Sequence, residues 1–368
     1  MRRGSSYGKF RPIRPGGRFH DNIGMGGNVF KGSPIGPGHE RGKGMKSVRL
    51  LACLFLLASF SVPAHSAQSV GERLKAIVKI RARIPRNART ARSLGRLREG
   101  NGMVIDSRGH VLTIGYLILE ADFIEIRLSE GKWMKAAFVA YDHRTGFGLV
   151  RAAGPLGVIP MRFGNSGALK KGAPALVASH GGENSLMGVR ITSRKEFAGY
   201  WEYLLDKAIF TSPPHPEFAG AALIGPGGRL LAIGSLFSRT VLPGVGIVPG
   251  NMFVPIDLLK PILADLKKSG RSSKPPRPWM GLFAAEVRDR LFVNRISPGG
   301  PAERAGVRPG DIILAVNQEE VKTLAGFYRK VWALGGAGVE VPIRVLQGSR
   351  IENFTIRSSE HFRYLKLR

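Results

Sequence analysis

The sequence predicts a mainly β protein, built of antiparallel barrels and followed by a smaller α+β domain. Three observations carry this. Short β-rich runs alternate with glycine turns through the middle of the chain, and no helical crossovers of about 10 to 15 residues separate them, as a parallel sheet would require. A segment rich in Lys, Ser and Pro at 267–278 then breaks the pattern. Beyond it, strands alternate with one clear helical period.

Composition narrows the possibilities. The 368 residues carry 56 Lys and Arg against 26 Asp and Glu, a formal charge of +30, with 43% apolar residues, 49 glycines and one cysteine. This excludes a disulfide scaffold, a coiled coil and a wholly disordered chain. Residues 1–44 are Gly-, Arg- and Lys-rich without apolar periodicity, and are expected to be a disordered extension ahead of a true start at Met45. Lys46 and Arg49, the apolar run 50–62 and the small residues of Pro63-Ala64-His65-Ser66-Ala67 then read as a secretory signal peptide over 45–67. It implies export to the periplasm or cell exterior; an uncleaved membrane anchor is the alternative.

Cys53 lies inside that segment, so the exported chain has no thiolate for a metal, and no His-x-x-x-His or clustered carboxylates replace it. Neither a metal nor a cofactor is expected. Export, and the lack of aromatic residues interleaved with the basic ones, argue against specific nucleic-acid binding. Anionic lipid or cell-wall polymer is the alternative partner for the charge, and the cation-rich stretch 76–98, read as a loop, is where it would bind.

In chain order, 102–113 reads as strand, tight turn, strand. Further strands are expected at 123–128, 136–140, 148–152, 175–178 and 230–235. After the linker 267–278, a strand is expected at 291–296 and a short helix within 297–307. A longer helix is expected over 323–334, where Leu324, Phe327, Val331 and Leu334 share a face and Gly335-Gly336 stops the period.

Several of these blocks carry a specific likeness. Gly100-Asn101-Gly102-Met103-Val104-Ile105, His110-Val111-Leu112-Thr113, Asp142-His143-Arg144-Thr145 before Phe147-Gly148-Leu149-Val150, and Gly250-Asn251-Met252-Phe253-Val254-Pro255-Ile256 follow one another at the spacing of a trypsin-like protease domain. Arg277-Pro278-Trp279-Met280-Gly281-Leu282-Phe283 and Arg308-Pro309-Gly310-Asp311-Ile312-Ile313-Leu314-Ala315-Val316-Asn317 match a PDZ domain. In this order they resemble the HtrA/Deg-type serine proteases over most of 70–358. The resemblance implies a trypsin-like double antiparallel β-barrel over 70–266, a linker at 267–278, a PDZ domain over 279–358 and a tail at 359–368.

The chemistry of that family needs a serine nucleophile, a histidine base, an orienting aspartate and backbone N–H groups for the oxyanion. By resemblance the base position holds Tyr116, the carboxylate position Gly146 and the nucleophile position Ala219. No catalytic residue is intact, and a phenol with an ordinary pKa near 10 is a poor base. Glu217-Phe218 and Ala221 also replace residues that shape the oxyanion turn, so a remodelled pocket is expected. Gly164-Asn165-Ser166-Gly167 imitates a nucleophile motif but reads as a polar surface turn. His110 in a strand, His143 and His215 in loops and His180 in a turn are all open to solvent exposure, and none has a motif-placed carboxylate partner.

The PDZ resemblance implies that Trp279, Met280, Gly281, Leu282 and Phe283 form the carboxylate-binding loop and the peptide-pairing strand. Phe327 and Val331 of the flanking helix face either the groove or the core. The partners so implied are C-termini or extended segments of proteins. Family trimers use aromatic N-terminal segments, and 76–98 contains no aromatic, which speaks against a homo-oligomer of that kind. Three functions stay open on the sequence: a proteolytically inactive scaffold or regulator in envelope protein quality control, an active HtrA-type endopeptidase, and a binder of anionic lipid or polymer.

Overall fold

The computed structural model describes residues 71–129, 131–242 and 244–367. The expected extension 1–44 and signal peptide 45–67 lie outside them. Six strands, β1 (Ile77–Arg83), β2 (Leu97–Val104), β3 (His110–Ile114), β4 (Phe123–Arg127), β5 (Met134–Tyr141) and β6 (Phe147–Ala152), close into a barrel in the order β1-β2-β3-β6-β5-β4. Six more, β7 (Pro174–Ala178), β8 (Leu186–Gly199), β9 (Tyr203–Ser212), β10 (Ala222–Gly225), β11 (Arg229–Leu242) and β12 (Gly246–Pro255), close a second barrel in the order β10-β11-β12-β9-β8-β7. All pairings within the barrels are antiparallel, as the glycine-punctuated runs predict.

The stretch 76–98 is corrected by the structure. Its first half is β1, not loop, because Ile80, Ala82 and Ile84 turn inward while Lys79, Arg81 and Arg83 stand on the outer side. The cations hide a strand of ordinary alternation. Arg86, Arg92 and Arg96 remain exposed on the connection that follows, which includes α1 (Ala91–Leu94), but Arg98 is buried. Its guanidinium donates to the carbonyls of Gly95, Tyr116 and Leu119 and to Thr90 Oγ1.

The expected linker 267–278 is also partly regular. α2 (Leu263–Ser269) runs through its first three residues and stops at Gly270, whose left-handed backbone returns its N–H to Leu266 O. Lys267 and Lys268 suit the C-terminal end of a helix dipole, and Lys267 Nζ lies 2.6 Å from Asp106 Oδ2.

The third sheet runs β13 (Leu282–Val287), β14 (Arg290–Ile296), β15 (Ile312–Val316), β17 (Glu340–Gln347) and β18 (Arg350–Arg357), with β16 (Glu319–Glu320) beside β15. α3 (Pro301–Ala305) and α4 (Leu324–Ala333) cover it, and α4 is capped by Thr323, whose Oγ1 accepts the Gly326 N–H. β13 is an edge strand. The core of this sheet includes Leu204 of β9, so the second barrel packs directly into it.

The tail 359–367 is a strap. Trp279 and Ser359 exchange backbone hydrogen bonds at 2.9 Å, α5 (His361–Tyr364) follows, Leu365 packs with Leu119 and Tyr141, and Lys366 N–H bonds Glu120 Oε1. His361 and His143 meet Nδ1 to Nδ1 at 3.1 Å, so one ring donates and the other accepts, and Tyr141 Oη lies 3.1 Å from the same His143 nitrogen. Among the described residues no helix is long and apolar enough to cross a membrane.

Burial pushes both imidazoles below their ordinary pKa, and each opposes charge on the other or feels the nearby Arg277 cation. Neutral rings in the fold and ordinary rings in the unfolded chain, near 6.5, mean that this stability is complete above about pH 6.5. It is lost as pH falls, by roughly 1.4 kcal/mol for each unit by which a ring is depressed. Thermal unfolding at pH 7.5 and pH 5 should therefore show an acid loss that is smaller in His361→Phe than in the native chain.

Candidate functional site

The three positions where a trypsin-like triad would sit come from three turns at the junction of the barrels. Tyr116 lies in the 3-10 turn Gly115–Leu117 after β3, Gly146 in the β5–β6 turn, and Ala219 in the turn before β10. The first two are tied together, because Gly115 N–H bonds Gly146 O at 2.7 Å. The third is held by Asn101 of β2. Its backbone N–H and its Nδ2 both donate to Ala219 O, at 2.8 and 3.1 Å, Nδ2 also donates to Glu217 O, and Oδ1 accepts His180 N–H. Asn101 is fully buried, with its own carbonyl accepting Thr113 Oγ1.

Each of these positions is engaged in structural contacts or lacks a side-chain hydroxyl. The Tyr116 hydroxyl donates to Ser235 O at 2.8 Å, and burial pushes its pKa above the ordinary phenol value. Gly146 has φ +81°, and a Cβ there would stand 3.1 Å from Tyr203 Oη, which itself donates to Thr145 O. An acidic side chain at 146 would thus meet both a left-handed backbone and an occupied space. Ala219 offers no nucleophile.

The turn that the resemblance assigns to the oxyanion has its own contacts. Donors of a trypsin-like hole are the N–H groups of the nucleophile and of the residue two before it, here Ala219 and Glu217. Glu217 N–H is taken by His215 Nδ1 at 3.1 Å, while His215 Nε2 faces Ser185 O at 3.1 Å. Proton placement on Nε2 satisfies both contacts. Gly220 is kept, with φ +72°, since a Cβ would come within 2.0 Å of Asn101 O.

The other histidines depart from expectation. His110 and His215 are buried, and His110 does have a carboxylate partner, Asp106 Oδ2 at 2.8 Å. Burial works to raise the Asp106 carboxyl, but Lys267 and the His110 N–H groups outweigh it and hold it at about 2. That pair sits at the start of β3, and no serine hydroxyl is bonded to His110 among the described residues. Ser166 is buried and donates to Asp257 Oδ2 at 2.6 Å, with Gly167 N–H on the same oxygen. Its hydroxyl faces a carboxylate and no imidazole.

The loop that the resemblance assigns to carboxylate binding is occupied from within the chain. Met280, Gly281 and Leu282 are buried, Gly281 takes φ +79°, and their three N–H groups converge. They converge on the side chain of Glu202, at the tip of the β8–β9 hairpin, with distances of 2.9 Å from Met280 N, 2.6 Å from Gly281 N and 2.8 Å from Leu282 N. Burial pushes the Glu202 carboxyl up to about 7, although the three donors act to lower it. The titratable groups facing this residue are Tyr328 of α4, on the Glu202 N–H, and His143 of the β5–β6 turn, on its backbone.

Trp279 is buried against His361 and Tyr364, and supports the loop from outside. Phe283 faces Tyr200 of the hairpin and lies under the Arg295 guanidinium. Phe327 and Val331 are buried in the cluster that also holds Leu204 of β9, and Tyr328 between them hydrogen-bonds the hairpin tip. Sequence reading missed Glu202 and Asn101. The one local signal for Glu202 is an acid among aromatics in Tyr200-Trp201-Glu202-Tyr203.

Residues 100–233 match the trypsin-like peptidase domain family and residues 292–340 the PDZ domain family. The chain is 26% identical over 291 residues to a probable periplasmic serine endoprotease, DegP-like, of Pseudomonas putida (strain W619), covering 74% of this chain and 58% of that protein. It is 25% identical over 274 residues to a probable periplasmic serine protease, do/HhoA-like, of Haemophilus influenzae, covering 68% and 56%. In both domains the chain is similar to the HtrA-type proteases. It spans 58% of the first of these relatives' length. An HtrA-type protease of the AlgW kind solved with a tripeptide shares the fold, with a TM-score of 0.50 and 19% identity over 80% of this chain and 97% of that one. The PDZ family match begins after the Glu202-bound loop.

Asn101→Ala removes the side chain that joins the two barrels and leaves His180 N–H and Glu217 O unsatisfied in a buried place. A loss of about 2 to 3 kcal/mol is expected in denaturant unfolding, against a change within about 0.5 kcal/mol for the exposed Arg92→Ala.

Proposed function

We propose that this HtrA-type chain is an exported, proteolytically silent protein that works by binding C-termini or extended segments of other envelope proteins through its PDZ groove. The observation that carries the silent reading is the occupation of the triad positions. Tyr116 is tied to a carbonyl, Tyr203 stands beside Gly146, Ala219 has no hydroxyl, and the Glu217 N–H is spent on His215. Acyl transfer needs base, nucleophile and oxyanion donors together, because a triad acts as a unit. Support for the location comes from the periplasmic names of the relatives, and support for peptide binding from the PDZ match and the tripeptide-bound AlgW-type structure. The double barrel then serves as a scaffold.

A fluorophosphonate probe tests this reading. The native protein is expected to remain unlabelled, as is Ser166→Ala. The triple variant Tyr116→His/Gly146→Asp/Ala219→Ser is expected to stay unlabelled too and to lose stability, because Asp at φ +81° costs about 1 to 2 kcal/mol before its contact with Tyr203 is counted. Labelling of the native chain that vanishes in Ser166→Ala would identify a serine nucleophile and end the silent reading.

A further inference from the structure

The PDZ groove of this chain is already filled by the chain itself, in the manner of a ligand. A peptide that binds such a groove adds a strand to the sheet edge and places its terminal carboxylate in a nest of backbone N–H groups. Both parts are present here. The Glu202 carboxylate receives the N–H groups of Met280, Gly281 and Leu282, and two residues earlier Tyr200 O accepts the Ala284 N–H at 3.1 Å, on the free edge of β13. Residues 200 and 202 thus contact the strand and the loop at the spacing of the last three residues of a bound C-terminus, with the side-chain carboxylate in place of the terminal one.

The helix side of the groove closes the contact. Tyr328 Oη donates to Gly199 O at 2.7 Å and accepts Glu202 N–H at 3.1 Å. Glu202 is 3% exposed and holds a left-handed backbone, φ +59°, at the hairpin tip, a conformation rare outside glycine. A carboxylate placed this deeply against three donors has no role in the fold of the barrel itself, whose hairpin closes by the β8–β9 ladder without it.

We propose that Glu202 is an internal ligand of the PDZ groove, and that an incoming peptide with a free C-terminal carboxylate binds by displacing the β8–β9 hairpin tip. The inference rests on the peptide-binding reading above and adds its regulation. The apparent affinity for a peptide is reduced by the fraction of molecules in which the groove is open. Removing the internal carboxylate raises that fraction and leaves the nest free for the terminal one.

The test uses the full chain and a fluorescein-labelled pool of random decapeptides with free C-terminal carboxylates, beside the same pool amidated, read by anisotropy. Glu202→Ala is expected to bind the free-carboxylate pool about tenfold more tightly than the native chain or better. Glu202→Gln, which keeps the shape and loses the charge, should shift the same way, and the amidated pool should gain nothing. Equal binding by native and variant chains would overturn the internal-ligand proposal and leave the groove a peptide site. Binding by none of them would overturn the peptide-binding reading and this proposal with it. Should both substitutions unfold the chain, amide exchange in the native protein decides. Slow exchange at Gly281 and Leu282 without peptide supports the internal ligand, and exchange at the rate of an open loop overturns it.

Discussion

The junction of this protein depends on one charged group held by backbone donors. Glu202 leaves a β-hairpin of the second barrel and spends its carboxylate on the three N–H groups of Met280, Gly281 and Leu282. Buried donors without partners are costly, and so is a buried carboxylate without donors. Each element is therefore the other's solution, which is why Leu204 joins the core of the third sheet and why Tyr328 turns toward the hairpin. The exposed pairs of Arg329 with Glu196 and Asp206 line the same contact but add little by comparison.

The same hairpin reaches the turn that carries Gly146. Tyr203 follows Glu202 directly and places its hydroxyl on Thr145 O, beside Gly146. The position that a trypsin-like enzyme gives to an orienting carboxylate is here a point of contact between the β5–β6 turn and the hairpin. Asn101 does the corresponding work on the other side, since one carboxamide fixes both the nucleophile turn and the His180 loop. The positions that the resemblance assigns to a triad are points of contact between the two barrels.

Much of the fold was legible because its signals are local. Alternation and glycine turns locate β2 to β7, and the 3.6-residue period with its Gly335-Gly336 stop locates α4. β1 was hidden because Lys79, Arg81 and Arg83 occupy its outer face and give the stretch the look of a basic loop. β8 and β9 were missed for another reason. Their register shifts at 191/193 and 195/197, and such bulges break the period of two that marks a strand. The ordered motifs give the assigned triad positions no contacts. Ser235 lies 119 residues from Tyr116, and Glu202 lies 78 from Met280, separations at which a single sequence carries no pairing signal.

The most direct measurement of the central contact is a ¹³C NMR pH titration of the Glu202 side-chain carboxyl in the full chain, assigned by comparison with Glu202→Gln. A carboxyl buried in the loop should titrate at about 7, far above the ordinary value near 4.3. Titration at the ordinary value that leaves the Gly281 and Leu282 amide resonances unmoved would mean that the carboxylate stands in water, and that the hairpin does not occupy the groove.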